Sequence, residues 1–211
     1  MKNPKDYLRD QANQLEQRAS TLRQELRQRP LENFAQLTAT NFNHDLQCFE
    51  FHYWTNLTYL KVPEFIAFNS INQQPLNVFH QALILYYFHL ADGAALAHRW
   101  IAFSELPEGR FYNQAFQGYT SNPLLQHFGE NIIQLENAAL SLHGEKIKFA
   151  DFAFRFQVLP RLILLLAYWQ GDEDFPPNYQ ILYDANVIHY LPTDVCAIAG
   201  KLLTNKLINP K

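Results

Sequence analysis

The sequence predicts an α+β fold: an antiparallel sheet packed with helices, preceded by a long heptad-patterned helix. Three observations carry this. Residues 4–29 repeat apolar side chains at alternating steps of four and three. Several later segments are aromatic and β-branched in the manner of short strands. Helices and strands follow one another without the strand–helix–strand rhythm of a parallel sheet.

In the first helix, Leu8, Ala12, Leu15, Ala19, Leu22 and Leu26 form the apolar stripe, Gln, Arg and Glu fill the other positions, and Pro30 ends it. So narrow a stripe suits packing on the body of the protein or on a second copy in a dimer. A short helix is expected over 31–37. Cys48-Phe49-Glu50-Phe51-His52-Tyr53-Trp54, Leu57-Thr58-Tyr59-Leu60 and Phe65-Ile66-Ala67-Phe68 read as three antiparallel strands. A polar loop follows, then an apolar helix over 76–90 that Asp92-Gly93 stops.

Trp100-Ile101-Ala102-Phe103 reads as a strand, followed by a loop punctuated by Pro107 and Gly109. Ser121-Asn122-Pro123 looks like a helix start, a capping side chain with proline at the first helical position, and that helix is expected to run to 142. Phe152-Ala153-Phe154-Arg155-Phe156-Gln157-Val158 alternates as an amphipathic strand. Residues 161–169 are almost continuously apolar, as in a strand buried on both faces. A short strand over 180–183 and a last helix over 193–207, capped by Thr193, complete the reading. The expected organisation is a helical appendage over 1–30 and one α+β domain over 31–211.

The composition narrows the function. Seventeen Phe, eleven Tyr and three Trp stand among 211 residues, while charged residues reach only 18%, below the usual quarter. A net charge of −3 lacks the basic footprint of a nucleic-acid binder. Residues 1–30 carry +3 against −6 for the rest, which suits docking of the first helix to an acidic surface or to a second copy, or simply a solvated helix face. Cys48 and Cys196 are far apart in apolar settings and are expected as buried free thiols. The charged N-terminus lacks a signal-peptide core, and the apolar run 162–169 is too short to span a bilayer. A soluble cytoplasmic protein without a membrane span is expected.

Trp100-Ile101-Ala102-Phe103-Ser104-Glu105-Leu106-Pro107-Glu108-Gly109-Arg110-Phe111-Tyr112, with Ala115-Phe116, forms one notable block. Gly171-Asp172-Glu173-Asp174-Phe175-Pro176, Ile181-Leu182-Tyr183-Asp184 and His189-Tyr190-Leu191-Pro192-Thr193-Asp194 follow in order. Together they resemble a prokaryotic family catalogued as domain of unknown function 3786, over roughly residues 45–208. The resemblance implies no established activity. Some members of that family look fused to a cysteine-rich iron–sulfur module, for which two cysteines here cannot supply the usual four thiolates. Tyr183 stands where the family more often shows Phe.

Two places gather candidate site residues. The first is the acidic block Asp172, Glu173, Asp174, Tyr183, Asp184, His189 and Asp194, with no Lys or Arg between Arg161 and Lys201. Asp172, Asp174, Asp184 and His189 are candidates for a hard cation or for water activation. The same residues equally suit turns and the acidic start of a helix. The second is the loop bearing Glu105, Arg110 and Tyr112, where Arg110 either clamps an anion or pairs with Glu105 or Glu108. The eight histidines include no i, i+4 pair, no HExxH motif occurs, and no glycine-rich phosphate loop is present.

The expectation is a non-enzymatic module binding a cofactor-like small molecule, a tetrapyrrole among the options, in an aromatic pocket, or binding a protein partner. A protein partner or homodimer would use the N-terminal helix. The alternative is a metal-assisted hydrolase or lyase using the acidic block.

Overall fold

The computed structural model describes residues 4–210, with side-chain surroundings from residue 10 onward. The chain forms two compact units: residues 1–94 with His189–Leu191, and residues 95–188 with 192–211. Both combine helices with an antiparallel sheet, so the fold is α+β.

In the first unit, α1 (Pro4–Arg27) leads through a 3₁₀ turn to α2 (Phe34–Thr38). The strands β1 (Asn41–Asn43), β2 (Cys48–Tyr53), β3 (Asn56–Lys61) and β4 (Ile66–Asn69) form a meander in that order, and α3 (Val78–Leu90) follows. The boundary expected at residue 30 falls inside this unit, because α1 packs along α3. Leu15, Ala19, Leu22 and Leu26 are buried there. Of the two uses expected for the stripe, this is the intramolecular one; Leu8 lies outside the described side chains.

The arginines of α1 hold it in place. Arg18 Nε donates to Tyr86 Oη at 2.8 Å, Arg27 Nε to Pro63 O at 2.9 Å, and Arg29 beyond the helix to His89 O at 2.6 Å. Much of the basic character of this segment is thereby spent on backbone carbonyls and a phenol. The unit's centre is a ring cluster in which Phe34 meets Phe49 at 5.9 Å and Phe65 at 6.0 Å, while Phe49 meets Phe88 at 5.2 Å. Asn77 caps α3 by accepting from Phe79 N and His80 N. Buried Gln81 then bonds both backbone groups of Ala67, satisfying the β4 edge.

The second unit contains β5 (Trp100–Ala102), α4 (Gly109–Tyr119), α5 (Ser121–Phe128), α6 (Ile132–Ser141), β6 (Glu145–Lys146), β7 (Phe152–Leu159), β8 (Leu162–Trp169), β9 (Asn178–Asp184) and α7 (Thr193–Ile208). The sheet runs β5-β9-β8-β7-β6, antiparallel throughout. β8 is central, and its residues 162–168 are buried, as its apolar run predicts. Ala153, Leu165, Ala167 and Leu182 form one face, with Trp100 and Trp169 packed against them. On α7, Gly200 has no room for a side chain: a Cβ there would come within 2.7 Å of the Phe116 ring and 2.9 Å of Tyr183 Oη.

Three expectations are corrected. The segment expected as a loop around Gly109 is largely helix α4. The single helix over 121–142 is two helices, broken where Gly129 takes a positive φ of 53°, and the second is capped by Asn131 through Gln134 N. Neither Ser121 nor Thr193 caps its helix; the Thr193 hydroxyl donates instead to Pro107 O at 2.8 Å. Strands β1 and β6, three and two residues long, are too short for an alternation that a sequence could reveal.

Candidate functional site

The outward face of α4 is built from the β5 exit. Phe103–Glu105 make a 3₁₀ turn, and Glu105 Oε2 accepts from Ala102 N at 2.6 Å. Glu105 is thus occupied in closing the turn. Glu108 adopts the left-handed conformation at φ 59°, and Gly109 starts the helix against Phe103 O, which a Cβ at that position would strike. Gly109, Phe116 and Thr120 are buried, and Phe116 stacks on Phe103 with centroids 4.2 Å apart.

At about 100° per residue, that inward stripe turns Phe111, Ala115 and Gly118 to the opposite side. All three are exposed. Phe111 is 86% exposed and Tyr112 60%. Arg110, also exposed, makes neither hydrogen bond nor ion pair among the described residues. Nothing lies within 4 Å of where a Cβ on Gly118 would sit. Of the second candidate group, Arg110 and Tyr112 therefore sit free on a helix, while Glu105 is tied to backbone.

The acidic loop between β8 and β9 closes on itself. Asp172 Oδ1 accepts from Asp174 N at 2.9 Å and Phe175 N at 2.7 Å, and Asp172 N donates to Phe175 O at 2.8 Å. Gly171 is required by close approach, since a Cβ would lie 2.6 Å from the Pro177 ring. Glu173, Asp174 and Phe175 remain exposed.

Asp184 is different in kind. At 2% exposure it accepts from Ala97 N at 2.8 Å, His98 N at 2.7 Å and Asn186 N at 3.0 Å. Three donors around one carboxylate stitch the chain before β5 to the end of β9. Its neighbour Tyr183 is buried and donates to Cys196 O at 2.8 Å; burial pushes its phenol well above the ordinary range. Asp194 is exposed in the first turn of α7, where a negative charge suits the helix dipole.

His189 belongs to the first unit. Its Nδ1 lies 2.6 Å from Asp92 Oδ2, while Asp92 Oδ1 accepts from Ala94 N at 2.9 Å. That backbone donor, and then His189, hold the Asp92 carboxyl below its ordinary value. Beside it, Tyr190 donates to Ala94 O at 2.6 Å and stacks on Tyr87 at 5.0 Å. Asp92 was legible in the sequence only as a helix stop.

Among the described residues, no three His, Cys, Asp or Glu side chains form a group that could hold a metal ion. The aromatic strands 49–68 and 152–169 place rings such as Phe49, Phe154 and Phe156 in the interior of their units, fully or almost fully buried. Cys48 and Cys196 are buried free thiols, and burial raises both pKa values. No helix among the described residues is long and apolar enough to cross a membrane. Exposed Phe111 was missed by sequence reasoning; the buried spacing Gly109, Phe116, Thr120 was the signal that could have found it.

A family model described as "Domain of unknown function (DUF3786)" matches residues 31–206. No curated protein and no solved structure matches the chain.

Proposed function

Because the chain belongs to the DUF3786 family, whose description assigns no activity, we propose that it is a non-enzymatic module that docks a protein partner through the outward face of α4. The observation that carries this is Phe111. At 86% exposure it is the most exposed large apolar side chain among the described residues, in a protein that buries most of its rings. Water contact over a whole phenyl ring is unfavourable, and an aromatic anchor next to a free arginine is the usual make-up of an interface hot spot. Tyr112 and Arg110 flank it, and Gly118 leaves a notch one face-repeat along the helix. A tetrapyrrole or other flat cofactor has less support, since most rings of the aromatic strands, such as Phe49, Phe51, Phe154 and Phe156, are turned into packed cores.

The test compares wild type with a Phe111→Ala, Tyr112→Ala double variant of unchanged melting temperature. Both serve as bait in extracts of the source organism, and light scattering reads self-association in parallel. A protein, or a second copy, held by wild type and lost at least tenfold in the variant supports the proposal. Equal recovery by both baits, or no associate of either kind, overturns it.

A further inference from the structure

We draw no further inference here: the strongest candidate, the groove of about 240 Å³ between α5, α6 and the end of α7 lined by Phe128, Ala138 and Leu207, is an apolar face for which nothing in the structure shows what covers it.

Discussion

Tyr183 and Tyr168 sit on adjacent strands of one sheet, both buried, yet only the first has a partner for its hydroxyl among the described residues: it donates to Cys196 O at 2.8 Å, while Tyr168 Oη has none there. Removing the same atom should therefore act oppositely at the two positions. Tyr183→Phe should cost about 1 kcal/mol, the net worth of a typical hydrogen bond. Tyr168→Phe should be neutral or stabilise by up to about 1 kcal/mol, because it deletes a desolvated, unpaired group. Urea denaturation of the two variants checks the sign, and equal losses at both positions would contradict the assignment.

Asp184→Asn keeps the shape but turns an amide donor toward backbone donors. At least one of Ala97 N, His98 N and Asn186 N then loses its acceptor inside the protein. The expected loss is about 2–4 kcal/mol, read as a lower urea midpoint with unchanged slope. A divalent-cation site here would give a different result: millimolar Mg²⁺, Mn²⁺ or Ca²⁺ would raise the wild-type melting temperature and leave the variant unmoved. We expect no such shift, since these lone pairs are already committed to N–H groups.

Asp92 makes stability depend on acid. Its carboxyl is held below the ordinary value of 3.8 by Ala94 N–H and by His189, so the folded state favours the charged form. That contribution is complete above about pH 5, and it disappears as the pH falls through the depressed value. The pair is half exposed, so the effect is under about 1 kcal/mol. The stability difference between wild type and Asp92→Asn should shrink as the pH falls from about 5 through the depressed value of Asp92; denaturation at several acid pH values reads it directly.

Gly118 offers a separation of stability from binding. It lies inside an exposed helix with open space around it and no positive φ. Gly118→Ala should stabilise the protein by about 0.5–1 kcal/mol, through helix propensity alone. If α4 docks a partner against that notch, the bulkier Gly118→Leu variant folds as well as wild type but loses the partner retained in the pull-down. Undiminished recovery with Gly118→Leu would place the contact elsewhere on the helix.

How much of this was legible depended on pattern length. β8 announced itself because its eight consecutive residues are all apolar, and α1 because its stripe persists over many turns. α4 did not, because Pro107 and Gly109 read as loop punctuation; Gly109 is in fact there to let the helix start against Phe103 O. The acidic block was visible as a cluster in sequence but not as separate jobs. Asp172 closes its own loop, Asp184 serves chain more than 80 residues upstream, and His189 serves Asp92, 97 residues upstream in the same unit. Partners that distant leave no local trace.

The two cysteines divide evenly, Cys48 in the first unit and Cys196 in the second, each buried and in no disulfide among the described residues. A thiol shielded in this way reacts only when its surroundings open. The native chain therefore carries one built-in chemical clock per unit. Alkylation under mild denaturant, followed by peptide mass analysis, times the opening of each half in a single tube without any engineered label.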